Sequence, residues 1–271
     1  MSPLWRDEIG AYLAPHKLAL TRLARGVRPR TVGSTGWVND VPGDMHWSAV
    51  LSALDGLLGK KDWQGALLRV VISDHWARYA MVPYAASLSG AAERLAHARH
   101  VLAGVYGEVV GEWSITLADS RPGKAQLACG IPNALIEDLR NVLARRGVQM
   151  ASLQPQLVSA YNHWRDRLPD GGAWFVSIEQ GSLAAARLVK GGWDRVHSVR
   201  IGANWTVELR RLQTFGRLAN AKGDEGRVYV DAPAALRVAA GESDAELVWL
   251  EESTAGESTA GRLEYQRRHQ A

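Results

Sequence analysis

Between residues 173 and 200 apolar and polar positions alternate every second residue, in three successive runs. Trp174, Val176 and Ile178 alternate with Phe175, Ser177 and Glu179, the period of a strand buried on at least one face. Gly181 follows, a residue suited to a turn or to a close approach of backbone to ligand. Ala184, Ala186 and Leu188 then mark a second strand, Gly191-Gly192 a second turn, and Trp193 to Val199 a third strand. The run predicts a three-strand meander with Glu179-Gln180-Gly181-Ser182 at its first bend.

Upstream, KLALTRL and PRTVGSTGWV within residues 17–38 read as two strands of a hairpin joined through Arg25-Gly26. Residues 39–45 carry turn chemistry, and Asp44 is placed to cap the helix after it. From His46 to Leu58 the apolar residues Trp47, Val50, Leu51, Leu54 and Leu58 recur at helical spacing, stopped by Gly59 and Lys60-Lys61. Leu67 to Ile72 is a β-branched apolar run of central-strand type.

Residues 79–153 predict a unit of their own: a strand at 79–83, a helix near 87–105, strands at 112–118 and 125–130, a helix near 132–145 and a last strand, VQMASL. That order is the split βαβ pattern. A helix at 155–166 leads to Pro169-Asp170-Gly171-Gly172, the best linker in the chain. After the meander come a helix near 203–215, a strand at 227–230 and weaker strands near 235–239 and 245–250. The direct repeat ESTAG at 252–256 and 257–261 has nothing to bury and predicts disorder. The domains expected are 1–168, with 79–153 as an inserted module, then 173–250, then a tail at 251–271.

Composition narrows the classes. At 271 residues, 46% apolar and 22% charged, the chain belongs with soluble globular proteins. A net charge of +4 is spread along the chain without a basic run, which is little support for nucleic acid as a partner and equally suits proximity to an anionic membrane surface; no nucleic-acid partner is expected. The single Cys129 rules out an internal disulfide framework. The first residues lack a signal-like apolar stretch, and no run approaches the ~20 apolar residues a membrane span needs. The expected location is cytoplasmic. Eleven Trp against two Phe is an unusual ratio, but the Trp residues are scattered without interleaved basic residues, unlike a single-strand-binding platform.

Most catalytic signatures fail on spacing. Residues 56–61, GLLGKK, lack the glycine spacing and the Ser or Thr of a phosphate-binding loop, and Gly104, Gly107 and Gly111 do not make a dinucleotide fingerprint. His97 and His100 share a helix face without an evident third ligand, so a solvated face is the simpler reading. Ser73, Asp74 and His75 are adjacent on an extended segment and should point to opposite faces, which excludes a triad. They either cap and turn the chain locally or line a cleft after a buried strand. Cys129 reads as a small core residue. The bend Glu179-Gln180-Gly181-Ser182 reads either as a plain hairpin turn or as a phosphate-contacting remnant.

The element order, with ALLRVVISDHWARYAMVPY at 66–84, AQLACGIPNALIEDLRNVLARRGVQMASLQPQLVSAYN at 125–162 and the meander, resembles the PilM group. These are actin-like cytoplasmic proteins of type IV pilus assembly, related to the cytoplasmic part of the type II secretion component GspL. The resemblance covers roughly residues 17 to 215. It implies two RNase-H-like α/β domains around a cleft. It also implies a scaffold that holds the N-terminal tail of a bitopic, PilN-like inner-membrane protein, peripheral to the inner membrane. In PilM itself the cleft binds ATP.

The family's phosphate and adenosine motifs are altered here: Ala14-Pro15-His16 replaces the first Asp-x-Gly, Glu179-Gln180-Gly181-Ser182 the second, and Asp231-Ala232-Pro233 a Gly-Gly pair. Proline removes an amide and side chains block close approach. The expected function is therefore a non-enzymatic adaptor without cofactor. The alternative is an ATPase or kinase of the same superfamily binding ATP with Mg²⁺, with Glu179 as the metal-side carboxylate and Asp74 as a second. Nuclease chemistry on such a sheet needs clustered carboxylates that LLRVVI and KLALTRL do not carry.

Overall fold

The computed structural model describes residues 6–24, 30–39, 45–88, 90–120, 123–202, 205–219, 227–234, 236 and 247–251. In chain order the elements are β1 (Glu8–Ala14), β2 (Lys17–Ala24), β3 (Arg30–Val38), α1 (Ser48–Leu58), β4 (Leu67–Ile72), β5 (Arg78–Val82), α2 (Ala91–Tyr106), β6 (Trp113–Leu117) and β7 (Gln126–Pro132). They continue with α3 (Asn133–Arg146), β8 (Gln149–Pro155), α4 (Gln156–Trp164), β9 (Ala173–Glu179), β10 (Ser182–Val189), β11 (Gly192–Arg200), α5 (Trp205–Ala219), β12 (Val228–Asp231) and β13 (Leu247–Trp249). The described residues divide into two compact units, one within 1–76 and 132–163, the other within 77–131 and 164–251.

The first unit holds a five-stranded sheet in the order β3-β2-β1-β4-β8. β1, β4 and β8 run parallel, while β2 and β3 complete an antiparallel meander. Ile9, Ala11 and Leu13 of β1, Leu18 and Leu20 of β2, and Leu68, Val70 and Ile72 of β4 are buried to 1% exposure or less. Spaced two apart along each strand, these side chains make one face of the sheet a core. Helices α1 and α3 pack on each other, α1 also on β2 and α3 on β8. They bury Val50, Leu51, Leu54 and Leu58 from one and Leu135, Ile136, Leu139, Val142 and Leu143 from the other. At the rim of that pair the Trp47 indole donates to Asp138 at 2.8 Å, and Arg146 grips Asp55 with two hydrogen bonds of 2.9 and 2.8 Å. The Arg146 hydrogen bond holds the Asp55 carboxyl below the usual carboxylate value.

The second unit holds a sheet in the order β11-β10-β9-β12-β13, with β9, β12 and β13 parallel. This is the topology of the first sheet repeated: a meander, a helix, a parallel strand next to the meander's first strand, then another parallel strand beyond it. Val176, Ile178, Leu183, Val228 and Val230 form its core with Trp205 and Leu209 of α5. The same unit carries a three-stranded sheet, β5-β7-β6, covered by α2. Among the described residues no helix is long and apolar enough to cross a membrane.

The meander, the Leu67–Ile72 strand and the helix ending at Leu58 lie where the sequence pattern puts them. Other readings are corrected. The segment Glu8–Ala14, not read as a strand, is the central strand of its sheet, and its run of small and apolar residues suits burial on both faces. The split βαβ reading of 79–153 fails at its last members. β8 pairs in parallel with β4, so β4, α3 and β8 make a crossover unit in the first sheet and only β5, α2, β6 and β7 remain together. An order of β-α-β-β-α-β is compatible with both pairings, and periodicity carries no record of the partner strand. Helix α2 begins at Ala91, where Glu93 accepts from the Gly90 amide at 3.1 Å, rather than near residue 87. Helix α1 is preceded by Trp47 at its cap position, without a side-chain cap. Asp44, the Arg25-Gly26 turn, the strand expected at 235–239 (apart from Leu236) and the ESTAG repeat lie outside the described residues.

Candidate functional site

The parallel strands of each five-stranded sheet bring their carboxyl ends to one edge, the place where α/β folds build ligand sites. In the first unit that edge collects the β1–β2 turn, the residues after β4 and the start of α4. The turn is tight: Ala14 pairs with Lys17, leaving only Pro15 and His16 between them. Asn39 closes it from outside, its amide donating to His16 O at 3.0 Å and its Nδ2 to Pro15 O at 3.4 Å. A phosphate-cradling turn needs converging amides. Here Pro15 has none to donate, and no carboxylate stands at Ala14.

After β4 the chain bends, with Trp76 N donating to Ser73 O at 3.1 Å. The bend brings Ser73 Oγ to 2.9 Å from His75 Nδ1, and the His75 amide donates to the same hydroxyl at 3.2 Å. Residues two apart on an extended segment share a face, and the bend after Ile72 lets Ser73 and His75 meet while Asp74 between them turns elsewhere. A triad is still not built. Asp74 Oδ1 accepts instead from the Leu157 amide at 3.1 Å, and Ser73 is fully buried. A carboxylate on an amide in the first turn of a helix is a cap, supplied here from 83 residues away in sequence. Beside it Gln156 is buried, and its Oε1 has no hydrogen-bond partner among the described residues.

As a cap, Asp74 has a measurable weight. Asp74→Ala should destabilise the protein by about 0.5–2 kcal/mol in urea unfolding, the usual cost of a lost cap. Asp74→Asn, which keeps an oxygen in place, should restore most of the loss. If both variants unfold at the wild-type midpoint, the carboxylate has another task.

In the second unit the corresponding turn joins β9 to β10. Glu179 and Ser182 are cross-strand partners, both buried, and Gln180 and Gly181 form the turn. Gly181 lies at φ +83°, and its carbonyl accepts from the Ile201 amide at 3.0 Å. The second meander turn, Lys190-Gly191, has positive φ at both residues (52° and 71°), the primed geometry that fits twisted strands.

In-register pairing of β12 with β9 sets Asp231 opposite Ser177. Ser177, Glu179 and Asp231 thus share one sheet face, opposite the one that packs α5. All three are at most 5% exposed, and Ser177 Oγ has no hydrogen-bond partner among the described residues. Of the predicted phosphate remnant, only Gln180 is exposed, Gly181 being half-buried. Asp231 and Gln156 were missed as members of these clusters. A carboxylate closing the β-branched run Val-Tyr-Val-Asp was the available signal for the first. Nothing local pointed to the second.

Among the described residues no three His, Cys, Asp or Glu side chains are grouped to hold a metal ion, His97 and His100 included. Tested against ATP with Mg²⁺, the donor set fits poorly: one turn lacks its amide and carboxylate, and the other buries the carboxylate it has. Cys129 is buried in β7.

No protein-family model matches the chain, and no curated protein matches it in sequence. Solved structures do. The cytoplasmic domain of EpsL, an inner-membrane component of the type II secretion system of Vibrio cholerae, is similar with a TM-score of 0.62 and 8% identity. That match covers 98% of this chain and 96% of the other. The PilM–PilN type IV pilus biogenesis complex gives a TM-score of 0.65 and 13% identity, over 98% of this chain and 93% of that one. A Bacteroides thetaiotaomicron protein of unknown function with an actin-like ATPase fold gives 0.62 and 8%, over 96% of both. The chain therefore has the actin-like fold, as the resemblance to the PilM and GspL group implies.

Proposed function

We propose that this chain is a non-enzymatic scaffold of a type IV pilus or type II secretion assembly platform. It would work on the cytoplasmic side of the inner membrane and dock the cytoplasmic tail of a bitopic, PilN-like membrane protein. The observation that carries the reading is the pair of altered turns on an otherwise complete fold. Both sheets keep the topology of the actin-like frame, while Pro15 removes an amide from one phosphate turn and burial withdraws Glu179 at the other. A frame kept without its phosphate-binding chemistry suits a protein that binds other proteins. The near full-length likeness to EpsL and to the PilM–PilN complex supports the pilus or secretion setting.

Two measurements on the full chain test this. Co-expressed with the bitopic membrane proteins encoded beside it, the chain should co-purify with one of them, and deleting that protein's cytoplasmic tail should abolish capture. Capture that survives tail deletion, or clean failure with every neighbour, overturns the docking role. Thermal unfolding with millimolar Mg-ATP should leave the midpoint unchanged. A site at 100-fold saturation would add about 2.7 kcal/mol and raise the midpoint visibly. A rise accompanied by phosphate release would instead favour the ATPase, with Glu179→Ala expected to abolish it.

A further inference from the structure

Among the described residues four strands edge the two five-stranded sheets, and three of them carry features that discourage a further strand. β8 is bulged between Met150 and Ser152 and ends at Pro155, β11 presents Asp194, Arg195 and Arg200 to solvent, and β13 is three residues long. β3 differs. Its bulge lies near its start, where Gly33 pairs with Arg22 and Thr31 with Leu23, leaving Val32 as the extra residue. From Gly33 to Val38 its register with β2 is unbroken, and no charge or proline interrupts it. Among the described residues it pairs with β2 alone. Ser34 and Gly36 are exposed, as are Val32 and Val38, at 48% and 63%. Gly33, Thr35 and Trp37 share the sheet face of the fully buried Leu18 and Leu20, so the core face runs out to this edge. A β-carbon at Gly33 would meet nothing within 4 Å, so the space over it is open.

We propose that β3 is a self-pairing edge: two copies of this chain join β3 to β3 antiparallel, about a two-fold axis at Thr35. An antiparallel pair with that symmetry must set one residue opposite itself. With Thr35 on the axis, Trp37 of each copy lies opposite Gly33 of the other, and Ser34 opposite Gly36. The largest side chain of the strand then covers the open space over the glycine, and the core face continues from one sheet into the next. An axis at Ser34 would carry the pairing into the bulge at Val32. One at Gly36 would crowd Trp37 against Thr35 and leave Gly33 uncovered. The strand carries no charge from Thr31 to Val38, so it has nothing with which to select a charged segment of another protein, whereas its own sequence complements itself. One strand pair buries well under the ~1,600 Å² of a standard interface, so the dimer should be weak, with a Kd on the order of 10–100 µM. The inference is independent of the scaffold reading, since none of these residues belongs to the altered turns.

The test is sedimentation equilibrium of the full chain from about 1 µM to about 1 mM, where a monomer–dimer equilibrium should appear. Gly33→Glu adds its side chain into open space at a residue without positive φ, so that variant should fold with an unchanged circular dichroism spectrum. Its carboxylate would face the partner's indole, and dimerisation should weaken at least tenfold. The register is read by cross-linking. Thr35→Cys should form a covalent dimer under mild oxidation. Ser34→Cys, about 7–8 Å from its own copy in this register, should do so at least tenfold more slowly. Cys129 is buried in β7 and supplies no competing thiol. A chain that stays monomeric to about 1 mM, a dimer indifferent to Gly33→Glu, or equal cross-linking of the two cysteine variants would each overturn the proposal. So would a monomer whose residues 33–38 respond in NMR spectra only to the tail of a co-purifying membrane protein.

Discussion

Trp205→Ala should cost the second unit about 3–5 kcal/mol, the range for deleting a large aromatic from a packed core. Trp205 opens α5, is 1% exposed and meets the edge of Trp249 with ring centroids 6.0 Å apart at 85°. Leu209, one turn further on the same face, continues the contact with Val176, Ile178, Leu183 and Val230. Removing the indole takes away its own burial, the edge-to-face pair and the anchor that holds α5 on the sheet. Urea unfolding followed by circular dichroism measures the loss. Trp249→Ala is the internal control. Its ring is half-buried on a three-residue strand, so its cost should be clearly smaller. Equal losses, or a Trp205 loss below about 1 kcal/mol, would mean that α5 is not held by this contact.

Gly130→Val should destabilise by about 3 kcal/mol, the upper end for overpacking. Gly130 sits in β7, the middle strand of the three-stranded sheet, and a β-carbon there would lie 2.6 Å from the ring of Trp113. That ring cannot easily retreat. Trp113 is buried within the cluster of Ala80, Val82, Leu102, Val110 and Ile115, and it packs against Tyr106 at a centroid distance of 5.4 Å. Tyr106 in turn donates to Tyr79 O at 2.9 Å. Glycine at 130 is thus explained by what lies over it, not by its own backbone angles. Trimming the ring in the double variant Gly130→Ala/Trp113→Leu should recover part of the loss relative to Gly130→Ala alone. If the second change only adds to the first, the collision is not the cause.

The same distinction separates what was legible from what was not. The meander was readable because each strand alternates over a whole run and each turn has a glycine where positive φ is needed, at Gly181 and Gly191. Helices α1 and α3 were readable from their apolar spacing, and α3 from Gly147, which ends it at φ +63°. By contrast, β1 carries little alternation because it is central, and VQMASL looks the same in either sheet. At the site alternation separates Asp74 from Ser73 and His75, and the structure keeps that separation. Asp74 was legible as a residue of interest, but its partner at Leu157 is 83 positions away.

By itself the sequence determined the local elements, the loss of the amide at Pro15, the absence of paired cysteines and the likeness to the actin-like fold, since these depend on residue type, element order and short-range period. Tertiary structure decided which sheet owns β8, which helix Asp74 caps, and that Glu179 and Asp231 share a buried face. Strand pairing and burial are contacts between distant segments, and their free energy is set by partners that no local window contains.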